Sequence, residues 1–229
     1  MRSSVADIRN LICCPDPGSV TVAAMTPPPR LVPLLAQFDH ASQRLVDRLG
    51  GPTVDSGDGA DVEVPALTDA EYLWEPVPGA WSVRLRSAGP GPGATVLAGA
   101  GEFGRDGGRP HPYPPPITTI AWRMHHLTEM LLGRADWTNG AHDFTEEEMI
   151  VSGDAVSGLA ALESAIAAWR AALMAADDAA LDTVGHSTYP DGSDPDVPFL
   201  EIVWWVNQEV LHHGAEIALL RDLYRATDG

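Results

Sequence analysis

Four stretches of the chain repeat apolar residues every three to four positions, the spacing that lines one face of an α-helix. In "RLVPLLAQFDHASQRLVDRLG", residues 30–50, that stripe is Leu31, Leu34, Leu35, Phe38, Leu45 and Leu49, and Gly50 supplies a stop. "ITTIAWRMHHLTEMLLGRADW", residues 117–137, follows a proline cluster and begins with Thr118 and Thr119, either able to cap the free N–H groups of a first turn. A third helix is predicted over about 152–176, behind Ser152 or Asp154 as cap. The fourth runs from about Pro198 to Arg225, with proline where its missing N–H costs nothing.

The connections differ in length. Residues 51–116 separate the first two helices and contain a polar Gly/Asp loop, "DSGDGADVEVP". Thr68 followed by Glu71 is a capping-box pattern and predicts a short helix at 69–74. Residues 87–116 are rich in Gly and Pro, which predicts irregular chain with room for a small hairpin. Four long helices joined partly by long crossovers describe an all-α four-helix bundle, here one domain over 30–229. Residues 1–29 are expected to be a disordered extension, with Met25 an alternative start.

Composition narrows the chemistry. With 45% hydrophobic and 20% charged residues among 229, the chain can bury a core without disulfides. A net charge of −18 argues against binding nucleic acid or an anionic membrane. All 14 basic residues are Arg, which excludes a lysine Schiff base and a phosphate-loop lysine. The only cysteines, Cys13 and Cys14, are adjacent, so a reducing cytoplasm is the expected compartment. No uninterrupted apolar run of ~18 residues predicts a membrane span. "DFTEEEM", residues 143–149, lacks the alternating oxygen ligands of a calcium loop and reads as a helix start capped by Thr145. Most of the seven tryptophans are expected in the core, while Trp74 and Trp81 are candidates for a lid near His126.

"LLAQFDHASQRLVDRL", "TDAEYLWEPVPGAWSVR", "ITTIAWRMHHLTEMLLGRADW" and "WWVNQEVLHHGAEIALLRDLY" occur in this order, and together they resemble the DinB superfamily, in its actinobacterial branch. The likeness covers about residues 30–226. It implies a four-helix bundle in up-down-down-up order, usually dimeric, with a divalent metal held by one histidine of the second helix and an H-x-x-x-H pair of the fourth. On that alignment the first ligand is His126 and the second histidine of the pair is His212. Gln208 stands where the first should be.

Residues four apart on a helix stack one turn above another, so such a pair can chelate while a third ligand comes from a neighbouring helix. A glutamine oxygen is neutral and hard, and serves Zn²⁺ or Ni²⁺ poorly. Glu216, one turn beyond His212, could complete a two-histidine, one-carboxylate set, and Glu209, three residues before His212, is a further candidate. Neighbouring helix positions diverge by about 100°, so His125/His126 and His212/His213 are each expected to offer one inward ring. His40, His111, His142 and His186 are expected at the surface.

Two functions follow. In the first, a metal held by His126 and His212, with Glu216 or Gln208 as third ligand, activates a small-molecule thiol toward an electrophile, with Glu129 or Glu209 as base. The resemblance implies mycothiol as the thiol and S-transfer or isomerisation as the reaction. In the second, the same residues form a metal-free hydrogen-bond network in a non-catalytic binding or structural protein.

Overall fold

Each of the four periodic stretches folds as a helix, within a computed structural model that describes residues 26–51, 53–55, 61–63, 65–188 and 194–227. The long helices are α1 (Val32–Gly50), α3 (Ile120–Asn139), α4 (Ala155–Ala175) and α6 (Phe199–Thr227), with short helices α2 (Asp69–Leu73) and α5 (Asp178–Leu181) between them. The caps are where local chemistry places them. Thr68, Thr119 and Asp154 each accept an N–H three residues on, from Glu71, Trp122 and Ser157. Helix α1 includes Gly50, the expected stop, and ends one residue later where Gly51 turns left-handed, at φ 74°. Thr145 makes no side-chain cap, and its three glutamates form a single 3₁₀ turn at Glu146–Glu148. Met25, Cys13, Cys14 and most of the expected N-terminal extension lie outside the described residues. Of that extension's described part, Pro28 accepts the N–H groups of Leu31 and Val32.

Helix α3 packs on α4 and α6, and α1 packs on α6 and α4. Phe38 and Leu45 of α1, Met124, Leu127 and Leu131 of α3, Leu162 and Trp169 of α4, and Val203, Val206 and Ile217 of α6 are all buried between them. Each such side chain contributes roughly 1.5–3 kcal/mol on leaving water. Polar bridges fix how the helices lie together. Asn207 donates to the Leu34 carbonyl at 2.8 Å and Arg221 to that of Arg48. Asn139 donates to the carbonyl of Ala172 at 3.1 Å, and Arg170 pairs with Asp39 at 2.8 Å. Helix α4 is long and apolar enough to cross a membrane by length and composition, although Ser157, Glu163, Ser164 and Arg170 interrupt its apolar run. Its Leu162, Ala165, Trp169 and Leu173 are instead core residues.

The connection between α1 and α3 is more ordered than expected, and it makes the chain helix-rich rather than all-α. Strands β1 (Thr53–Asp55) and β2 (Asp61–Glu63) pair with each other. Strands β3 (Val83–Leu85), β4 (Val96–Ala98) and β5 (Phe103–Gly107) form an antiparallel sheet in the order β3-β5-β4. The hairpin expectation was right in kind but missed the third strand. These strands are too short for an alternating pattern, and the central one, "FGRDG", buries a charged pair instead of apolar residues. Asp106 accepts from the N–H groups of Ser82 and Gly91 and from Arg84 Nε, at 3.0, 2.8 and 2.7 Å, and so ties the surrounding loops to the sheet. Trp122 Nε1 donates to the Asp106 carbonyl at 2.8 Å, and Trp81 exchanges backbone hydrogen bonds with Ile117 and Thr119. The sheet is thereby fastened across the first turn of α3, directly before His126.

Candidate metal centre

The facing surfaces of α3 and α6 bring two imidazoles and a carboxylate together. His126 projects from α3, and Glu209 and His213 project from successive turns of α6. Glu209 Oε2 lies 3.6 Å from His126 Nε2 and 3.4 Å from His213 Nε2. The ligand atoms of all three residues fall within 4.8 Å of one another. The two rings meet edge to face, with centroids 4.8 Å apart.

Burial lowers the pKa of His126, with His213 and Arg105 acting in the same direction and Glu209 opposing. The close approach of His126 and His213 holds Glu209 far below the usual carboxylate range. A neutral imidazole beside an ionised carboxylate is the protonation state a metal requires of its ligands. The separations fit as well. Ligands about 2.0–2.1 Å from a tetrahedral zinc are about 3.4 Å from each other. The measured 3.4 and 3.6 Å match that edge and exceed the 2.7–3.2 Å of a good hydrogen bond. Two histidines and a carboxylate also leave coordination positions free, as catalytic metal sites do.

The inward face of α6 is one residue out of step with the sequence-based assignment. Gln208 is exposed, on the side of α6 turned away from the core. The side chain of His212 is 55% exposed; its ring stacks on that of His213 at 4.7 Å, on the solvent side. The residues facing His126 are Glu209 and His213, so the spacing of four is kept while its members shift by one. The signal for this was present. Val206, Val210, Ile217 and Leu220 are all buried on α6, and extending their period through 213 puts His213 inside and His212 out.

Glu216 is close to both histidines but also to a cation. Its Oε2 is 2.7 Å from His213 Nδ1 and its Oε1 is 3.3 Å from His212 Nε2. Arg123 of α3 forms an ion pair with Oε2. His212, His213 and Glu216 are a second possible ligand group by distance. A guanidinium bonded to the shared carboxylate disfavours a metal there.

On α3, both neighbouring histidines are engaged, contrary to the expectation of one inward ring. His126 faces α6, whereas His125 is buried toward the chain entering α4 and accepts the Ser152 N–H on Nε2 at 3.2 Å. Helix α3 has a neighbour on each side, so two positions 100° apart can both find one. Burial, aided by Arg105, depresses the pKa of His125 to about 4.

Beside His126 opens a cleft of about 460 Å³, walled by Trp81, Trp122, strand β4 and the chain that follows β5. The His126 ring lies nearly parallel to Trp122, with centroids 5.4 Å apart, and the Arg105 guanidinium covers Trp122 at 4.9 Å. Arg105 bonds Glu129 and Glu146 at 2.5 Å each. Burial, reinforced by Glu146, raises the pKa of Glu129 to about 7, against the pull of Arg105. Of the two proposed lid residues, Trp81 lines this cleft and Trp74 packs on Tyr224, 5.6 Å away. His111, expected as a plain surface residue, lines the cleft and lies 6.0 Å from Trp81. His40 is exposed, in a groove between α1 and α6. His142 lies against Trp137 and His186 against Phe199.

Residues 106–217, which include His126, Glu209 and His213, match the family model of the DinB superfamily. No curated protein and no solved structure matches the chain.

Proposed function

We propose, on the premise that this chain belongs to the DinB superfamily through residues 106–217, that it is a metal-dependent enzyme of thiol chemistry. Its ligands are His126, Glu209 and His213, in place of the His126, Gln208, His212 and Glu216 set suggested by the alignment. One observation carries this reading. Glu209 sits 3.4 and 3.6 Å from the two imidazole nitrogens, too far for good hydrogen bonds and close to the ligand spacing around Zn²⁺ or Ni²⁺. That spacing is why we favour a bound ion over a metal-free hydrogen-bond network.

A divalent cation there would lower the pKa of a bound sulfhydryl, making thiolate available at neutral pH for attack on an electrophile. The protein supplies the rest. Trp122 and Trp81 wall the approach to His126 with apolar surface. Arg105, held by Glu129 and Glu146, presents positive charge at the same wall. Glu129, with a pKa near 7, can hold or give up a proton at neutral pH, so of the two carboxylates considered as base it suits that role. S-transfer or isomerisation with a mycothiol-type thiol is the reaction this reading names. The up-down-down-up order belongs to it too. Supporting that order, contacts join 34 to 207 and 48 to 221, whereas 123 meets 216 and 134 meets 205. A homodimer is also part of the reading, with exposed Leu211 and Leu219 offering apolar surface beside the α1–α6 groove.

The test is metal affinity of tag-free protein, measured by competition with a chromophoric chelator. Glu209→Ala and His213→Ala should abolish tight Zn²⁺ or Ni²⁺ binding, while Gln208→Ala leaves it within a few-fold of the parent. Absence of binding by the unaltered protein, or equal loss in Gln208→Ala, refutes the assignment.

A further inference from the structure

We infer that Glu216 is the positioning residue of this centre: it accepts the Nδ1–H of His213 and so commits the Nε2 lone pair to the point shared with His126 and Glu209. The inference rests on the metal reading above and adds what fixes the ring.

A neutral imidazole carries one proton, and the partner of one nitrogen decides which nitrogen is free to ligate. On His213 the two nitrogens face different carboxylates. Nε2 looks toward Glu209 at 3.4 Å, and Nδ1 is 2.7 Å from Glu216 Oε2. The shorter, stronger hydrogen bond is the one to Glu216, so the proton belongs on Nδ1. Two residues defend that arrangement. Arg123, reaching over from α3, pairs with Oε2 and holds it beside the ring. Burial brings the Arg123 pKa down only to about 10, so it remains a cation at neutral pH. On the outer side, His212 stacks on the His213 ring within 12° of parallel and takes the other oxygen of Glu216 at 3.3 Å.

The competing arrangement is also visible. Arg123 Nη1 is 3.2 Å from His213 Nδ1, and without Glu216 it would donate there. The ring proton would then move to Nε2, where it points at Glu209 and blocks ligation. Glu216 therefore acts through His213, and its spacing from both histidines, three and four residues along one helix, serves orientation.

Two measurements test this. Long-range ¹⁵N NMR of metal-free protein at pH 8 should show the His213 proton on Nδ1 in the parent and its redistribution toward Nε2 in Glu216→Ala. Zn²⁺ affinity should fall roughly 10- to 100-fold in Glu216→Ala, less in Glu216→Gln, whose amide oxygen can still accept, and beyond detection in Glu209→Ala. An Nδ1 proton in Glu216→Ala identical to the parent overturns the inference, as does unchanged affinity. Loss as complete as in Glu209→Ala would make Glu216 a ligand instead. If the parent binds no metal, the metal reading fails, while the NMR result still decides the role of Glu216. Should Glu216→Ala not fold, Glu216→Gln gives the same two readouts.

Discussion

Helix α6 carries two of the three candidate metal ligands, and a buried ion pair below them ties that helix to the rest of the fold. Arg221 is fully buried two turns beyond His213 and grips Glu71 through two bonds, of 2.7 and 3.1 Å. The same guanidinium donates to the carbonyls of Arg48, at the end of α1, and Pro65. Arg221→Met removes the cation and leaves a buried carboxylate and the Arg48 carbonyl short of that donor, while Pro65 keeps a 3.3 Å bond from Arg225. Breaking one side of such a pair costs roughly 3–5 kcal/mol. Arg225, 3.8 Å from Glu71 and more exposed, is a nearby cation able to move in, which favours the lower end. In a chain of this length the loss lowers Tm by roughly 6–20 °C. The assay is thermal unfolding of Arg221→Met, Glu71→Leu and the double variant. The double variant should recover most of the loss, because two apolar residues leave no unpaired charge. A drop of under 2 °C for Arg221→Met, or a double variant as unstable as either single one, would refute the reasoning.

Three more outcomes follow from the same contacts. His125 has its pKa depressed from 6.5 to about 4 by burial, so the stability it contributes is complete above pH 6.5 and is lost as pH falls toward 4. That loss is roughly 3 kcal/mol, and His125→Gln should flatten a Tm-against-pH profile over this window. Glu129 runs the other way: raised by burial from 4.5 to about 7, it favours the fold below pH 4.5 and ceases to as pH rises through 7. A ¹³C carboxyl titration of Glu129 with its midpoint below 5 would contradict this. Gly153→Ala would set a methyl 2.3 Å from the Phe103 ring, so overpacking should cost roughly 1–3 kcal/mol in chemical denaturation, where no change in midpoint would count against the close approach.

What the sequence determined by itself was local. A threonine or aspartate before an apolar stripe fixed the starts of α2, α3 and α4, and a left-handed glycine fixed the end of α1, because caps satisfy backbone groups within three residues of themselves. The resemblance to the DinB superfamily was likewise legible in the order of short motifs, and with it His126 as a candidate ligand. The sheet was not, because its strands are three to five residues long and its centre is held by Arg105 and Asp106 rather than by apolar alternation. Tertiary structure also chose between adjacent histidines. One step along a helix turns a side chain by 100°, so His212 and His213 differ in direction; the apolar period of α6 favours His213, and the packing of α6 on α3 makes that direction the one facing His126. The same contact brought Glu209 to His126 from 83 residues away, a meeting that no local spacing encodes.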